Sequence, residues 1–320
     1  MVHNAADMTP PPAPSDAVTI ELNAVLVALT ENQPLVLTLE DGAVLPSGPF
    51  ATEHPTLQSG VRAWVERQTQ HPLGYVEQLY TFADRNRPAS DGRRRVVSIS
   101  YLGLTRERLS AGARDPEWRS WYRYFPWEDW RAGPSPLVAQ TILPQLASWA
   151  DAVNDPIQQR ARRQRIELQF GDGVETWNEE LILQRYELLY EAGLVPEAKP
   201  AHDSGHDLVP GMPMRHDHRR ILATGIARLR AKIKYRPVFF ELMPPEFTLL
   251  QLQKTVEALS GTQLHKQNFR RLVAQQGLVE ETESVTSGAA GRPARLVRFR
   301  REVLLERPAP GLRLPSRRAG

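Results

Sequence analysis

The chain has no cysteine, which excludes disulfides and thiolate-bound metal. It also has no apolar run approaching about 18 residues, so no segment is expected to span a membrane. The opening stretch, MVHNAADMTPPPAPSDA, lacks an apolar signal core, and its prolines and small polar residues read as a disordered tail over 1–16. A cytoplasmic protein is the expectation. Acidic residues are scarce at one end only. From His216 onward there are 20 Lys+Arg against 9 Asp+Glu, a net +11, and with +3 for the whole chain the first 215 residues carry −8. That split points to a nucleic-acid module joined to something else. With 320 residues, 41% of them hydrophobic, there is material for two cores.

The nucleic-acid module can be read between Phe247 and Arg300. Thr248 and Gln251 stand at capping-box spacing and Phe247 is placed to staple onto Leu252, so a helix should start there. Leu249, Leu252, Val256 and Leu259 recur at helical spacing, and Ser260-Gly261 ends the run. A second helix is expected from about Thr262 to Gln276. It buries Leu264, Phe269, Leu272 and Val273 and leaves Lys266, Gln267, Asn268, Arg270 and Arg271 outside. Two short helices across a glycine turn make a helix-turn-helix, whose second helix enters the major groove. Leu278-Val279 and Leu296 to Phe299 read as wing strands around SVTSGAAGRPAR, with Arg292 and Arg295 placed to meet phosphate. Recognition-helix Arg and Lys read guanine edges and Asn or Gln adenine edges, whereas wing arginines supply position and affinity. The competing reading is a small structural domain with a solvated basic face; the charge split favours DNA.

Toward the N-terminus, Val18 to Leu29 and Leu35 to Leu39 read as a hairpin. A Pro/Gly loop, LPSGPF, follows, then a helix with Leu57, Val61, Trp64 and Val65 on one face, then strands at Tyr75 to Phe82 and Val96 to Leu104. This order indicates an α+β fold, an α/β/α sandwich.

LPSGPF, the helix after it, YVEQLYTFADRNRP and GRRRVVSISYLGL together resemble a Nudix domain. The Nudix box, G-x5-E-x7-R-E-U-x-E-E-x-G-U, falls here between Gly48 and Gln70. Gly48, Arg62, Trp64 and Glu66 match; His54, Ala63, Arg67 and Thr69 replace a glutamate, a second glutamate, a third glutamate and the glycine. Nudix hydrolysis needs a cluster of carboxylates holding Mg²⁺. The single carboxylate Glu66 beside Arg67 implies a remnant box with no catalytic residues and no resident metal or other cofactor. Gly48, Arg62 and Arg67 are then the candidates for holding a diphosphate. An active Nudix pyrophosphatase, dependent on Mg or Mn, is the alternative; it requires ligands from outside the box, with Glu77 and Asp84 as candidates.

The middle of the chain is different in character. Glu117 to Trp130, EWRSWYRYFPWEDW, concentrates seven aromatic residues, which reads as core or interdomain packing, or else as a ligand cage or partner surface. Three helices follow, at Pro136 to Ala152, Gln158 to Gln169 and Thr176 to Ala192. Ala198 to His218 is a Pro/Gly-rich linker in which His202, His206, His216 and His218 with Asp203, Asp207 and Asp217 admit a metal site, though plain linker is the simpler reading. Ile221 to Ile233 is a further helix.

From about Arg215 to Arg300, HDHRRILATGIARLRAKIKYRPVFFELMPPEFTLLQLQKTVEALSG, LHKQNFRRLV and GRPARLVRF resemble the C-terminal domain of the Nudix-related transcriptional regulators of NAD metabolism. The resemblance implies a homodimeric repressor of NAD-biosynthesis operons, with operator DNA and an ADP-ribose-like nucleotide effector as partners. The organisation expected is a tail over 1–16, a Nudix-like ligand-sensing domain over 17–112, a helical insert over 113–200, a linker over 201–215, a winged-helix DNA-binding domain over 216–306 and a basic tail over 307–320.

Overall fold

The structure, a computed structural model, describes residues 18–70, 73–83, 95–106, 117–171, 177–198, 208–285, 294–306 and 312. The N-terminal tail, the C-terminal tail apart from Leu312, and Asp84, His202, Asp203, His206, Asp207 and Arg292 lie outside the described residues.

β1 (Val18–Thr30) and β2 (Gln33–Thr38) form the expected hairpin, with Glu31 and Asn32 both at positive φ in its two-residue turn. β3 (Ser47–Pro49) adds to the other end of β1, and α1 (Leu57–Thr69) follows, started by a capping box between Thr56 and Ser59. β4 (Tyr75–Phe82) and β5 (Arg95–Leu104) pair antiparallel, and β5 runs parallel to β1 from Val18↔Arg95 to Val27↔Leu104. The sheet does not end there. β6 (Glu117–Ser120) pairs antiparallel with β2, giving the order β4-β5-β1-β2-β6 with β3 on β1. The segment from 113 onward, expected to be helical, thus begins as an edge strand.

β1 is buried on both faces, which is why it reads as a continuous apolar run. Leu22, Ala24 and Leu26 pack with Val61 and Val65 of α1, while Val25 and Val27 face the opposite layer. Each of these Leu and Val side chains contributes about 1.5–3 kcal/mol on full burial. The opposite layer comes from far along the chain. After α2 (Leu143–Asp151), α3 (Pro156–Phe170) and α4 (Ile182–Glu191), α5 (His218–Tyr235) lies over β1, β4 and β5, with its Gly225 against Val25. α5 therefore completes the α/β/α sandwich, although the sequence groups it with the DNA-binding end.

The aromatic stretch is core. Trp121, Tyr124, Phe125 and Trp127 are fully buried, and Trp130 stacks on Trp177 with ring centroids 4.1 Å apart. The same core continues through Ile221, Leu222 and Leu229 of α5 to Leu252, Val256 and Phe269 of the C-terminal domain.

Candidate nucleic-acid interface

α6 (Leu249–Ser260) and α7 (Lys266–Gln276) form the helix-turn-helix, followed by the ribbon of β7 (Val279–Val285) and β8 (Arg295–Phe299). The Thr248 hydroxyl accepts from Gln251 N at 3.1 Å, and the Gln251 side chain accepts from Thr248 N at 2.7 Å. Two amides that the helix cannot satisfy are thereby paired. Phe247 pairs by backbone with Val297, so β8 is held from both sides, and Phe240 stacks on Phe299 at 4.1 Å. The turn is braced from within α6. The Glu257 carboxylate accepts from Leu264 N at 3.0 Å, from Gln253 Nε2 at 2.9 Å and from Lys254 Nζ at 2.8 Å. Burial raises its pKa, but these donors more than offset that and hold it below the usual carboxylate value.

α7 buries Phe269 and Val273 and turns Lys266, Gln267, Asn268, Arg270 and Arg271 to solvent. Its sequence, KQNFRRLVAQQ, contains no acidic residue. Among the described residues none of those five side chains is engaged in a hydrogen bond or ion pair, so three cations and two amides stand free on one helix. The wing differs. Arg295 pairs with Glu281 and Arg298 with Glu280 across the ribbon, all four at least partly exposed. Arg295 thus reaches phosphate only by leaving Glu281. The acidic residues of VEETESV opposite the arginines of RLVRF were the signal for this pairing.

The reading head is bolted to the sandwich through groups the sequence reading did not single out. Glu128, fully buried, binds Arg185 of α4 (Nε at 2.7 Å) and Arg230 of α5 (Nη1 at 2.7 Å). Burial raises the Glu128 pKa, and the two guanidinia overcome that and keep it ionised. Arg230 Nε also donates to Leu259 O at the end of α6 (3.0 Å), Tyr122 Oη donates to Ala258 O (2.7 Å), and Trp130 N donates to Gly261 O (2.7 Å). Gly261 sits at φ +76°, and a Cβ there would lie 2.5 Å from Glu128 O. Only glycine fits this turn against this neighbour. Beside the junction opens a cleft of about 470 Å³ lined by Asn32, Asp129, Arg131, Ala132, Lys254, Glu257 and Gln263. It is bounded by the β1–β2 turn on one side and by the helix-turn-helix on the other.

The remnant box lies elsewhere, on α1 and β3. Trp64 packs its ring where a Cβ on Gly48 would stand, donates Nε1 to Pro49 O at 2.9 Å, and carries the Arg67 guanidinium over its face at 4.6 Å. Gly48, Trp64 and Arg67 are thus brought together. Arg62 is not part of that group: its guanidinium donates to Leu73 O and Gly74 O, tying down the segment after the helix. Glu66 is exposed on α1. Glu77 receives Lys232 Nζ at 2.6 Å and the Tyr75 hydroxyl, so it is committed to the α5 contact.

His218 is buried in the sandwich, its Nδ1 accepting from Leu45 N at 2.8 Å. Burial drives its pKa down to about 3, aided by His216 and Arg215. Among the described residues no group of three His, Asp or Glu is arranged to hold a metal ion.

Residues 239–299 match the NrtR DNA-binding winged helix domain. A curated relative, the ADPR responsive transcriptional repressor NtrR of Acinetobacter baylyi (strain ATCC 33305 / BD413 / ADP1), is 41% identical over 88 residues, 28% of this chain and 35% of that protein. The match thus spans about a third of the relative's length. Among solved structures, Shewanella oneidensis NrtR complexed with a 27mer DNA aligns over 89% of this chain and 94% of its own, with TM-score 0.53 and 20% identity. A MutT/nudix family protein from Enterococcus faecalis aligns over 89% of each chain, with TM-score 0.50 and 17% identity. At these identities the likeness is one of fold, a sandwich followed by a winged helix, and within it residues 239–299 are the part that matches the NrtR DNA-binding winged helix domain.

Proposed function

We propose that the protein is a ligand-responsive, DNA-binding repressor of NAD-biosynthesis genes that works as a homodimer on a palindromic operator. The observation that carries this reading is the unpaired face of α7, Lys266, Gln267, Asn268, Arg270 and Arg271, on a helix held rigidly by a braced turn. One winged helix reads few base pairs, so two copies and a two-fold operator supply the specificity.

The effector in this reading is ADP-ribose or a related nucleotide, bound near the Nudix-box remnant; the Acinetobacter relative, an ADPR responsive repressor, supports that choice. The protein binds the nucleotide without cleaving it, because one box carboxylate, Glu66, remains and Glu77 is occupied by Lys232. α5 is the coupling element. It covers the sheet, and its Arg230 holds the end of α6, so a shift of the sheet against α5 moves the helix-turn-helix. Coupling must be reciprocal, with a usual size of about 1 to 3 kcal/mol, or roughly 5- to 150-fold in affinity.

The test is a titration of ADP-ribose into the full chain with and without operator DNA at fixed salt, alongside an assay for AMP release with Mg²⁺ or Mn²⁺. The expected result is operator-dependent ADP-ribose affinity and no turnover. Identical affinities in both titrations overturn the coupling; turnover abolished by Glu66→Gln makes the protein a hydrolase.

A further inference from the structure

We propose that α3 is the surface through which two copies of this chain pair, as an antiparallel helix couple; this rests on the homodimer reading above. α3 begins at Pro156, capped by the Asp155 side chain on Ile157 N. One side of it packs inward through Ile166 and Phe170. The other side carries a stripe, Ile157, Ala161, Gln164 and Leu168, within about 60° of arc at roughly 100° per residue. Ile157 is 80% exposed and Leu168 68% exposed, among the most open large apolar side chains in the molecule. These two residues stand three turns apart at the two ends of one exposed helix face, with the small Ala161 and the polar Gln164 between them.

The charges on α3 say which partner. Arg162 lies over the Trp149 ring and donates to Trp149 O, Arg163 pairs with Asp151, and Arg165 pairs with Glu191. Arg160 and Glu167 are exposed and have no such partner among the described residues. Both lie on the same flank of that stripe. A two-fold axis perpendicular to the helix and centred between Arg162 and Arg163 sets Ile157 against Leu168 of the second copy. It also sets Ala161 against Gln164, and places Arg160 about 3 Å along the axis from Glu167 of the second copy. Because the axis keeps like flanks together, the two unpaired charges meet twice with opposite sign. A foreign helix would need this charge order by chance, whereas a second copy of α3 supplies it by symmetry. The couple alone is small for a specific interface, below about 1,000 Å², so the dimer is concentration dependent and tightened by a two-fold operator.

The absence of native cysteine makes the register measurable. The full-length variants Ile157→Cys and Leu168→Cys are each oxidised alone and as a one-to-one mixture, with and without operator DNA, and dimers are scored on a non-reducing gel. The expected result is a disulfide-linked species in the mixture and little with either variant alone. In parallel, Arg160→Glu and Glu167→Arg each weaken dimerisation about tenfold, and the double variant restores most of it. Wild-type dimers in light scattering without the mixed crosslink, or crosslinking of each variant with itself, overturn the α3 couple and leave the homodimer reading standing. A wild-type monomer both free and on DNA overturns both.

Discussion

Arg230 and Glu128 meet at 2.7 Å, with neither side chain reached by solvent. Each comes from a different part of the chain, α5 and the aromatic segment, and the same carboxylate also serves Arg185. Removing the charge of Glu128 strands two buried guanidinia. Glu128→Gln is therefore expected to cost about 3–5 kcal/mol in urea unfolding. A loss under about 1 kcal/mol shows that the triad is not holding the junction.

The turn glycines give a controlled comparison. Gly261 (φ +76°) has Glu128 O 2.5 Å from a prospective Cβ, while Gly277 (φ +55°) has only Arg300 Nη1 at 3.3 Å. Gly277→Ala should cost about 1–2 kcal/mol, the left-handed backbone penalty alone. Gly261→Ala adds a backbone clash, so it should cost more and weaken operator binding in a gel shift. Equal costs for the two variants count against a tightly docked turn.

On DNA, the free and the paired cations should behave differently. Asn268→Ala and Arg270→Ala are expected to change base preference, at about 1–3 kcal/mol for the position read. Lys266→Ala and Arg292→Ala should weaken binding to all sequences and lower the salt slope by about 1 each. Arg295→Ala should matter less than Lys266→Ala, because Glu281 must first be released. Glu281→Ala should tighten binding. A gel-shift series across salt and operator variants reads all six, and unchanged binding for Asn268→Ala and Arg270→Ala rules out α7 as the reader.

His218 sets an acid limit on stability. The unfolded ring takes up a proton near pH 6.5 and the folded one near 3. Between those values the unfolded chain binds more protons, so stability is full above pH 6.5 and falls as the pH drops, by up to about 1.4 kcal/mol per unit. His218→Asn should lower stability at neutral pH and flatten this slope. Urea midpoints at a few pH values from 7 down to about 5 test it; parallel slopes for variant and wild type assign the acid sensitivity to other groups.

The parts legible in the sequence were those whose cause is local. The Thr248–Gln251 box, the Gly261 stop, the exposed face of α7 and the strands at Tyr75 and Val96 follow from neighbours within a turn or two. The aromatic stretch also read correctly as core. Long-range pairing left no such trace. Glu117–Ser120 joins β2 from about 80 residues away, a four-residue edge strand too short for a periodicity to declare itself. Arg62 and Arg67 are five residues apart on one helix, yet one serves the backbone after the helix and the other an indole face. Arg230 looks like one more charge on a basic helix until Glu128 is placed beneath it.

The position of α5 has a consequence for how the protein is made. β5 ends at Leu104, but the helix that covers its inner face ends at Tyr235, 131 residues later. At about 5–20 residues per second of synthesis, the sheet waits roughly 7 to 26 seconds for its second layer. During that time Val25, Val27 and Leu102 face solvent or a chaperone. The nascent chain is thus most vulnerable to aggregation in mid-synthesis, and a ribosome stalled before residue 218 releases a product that cannot complete its first domain.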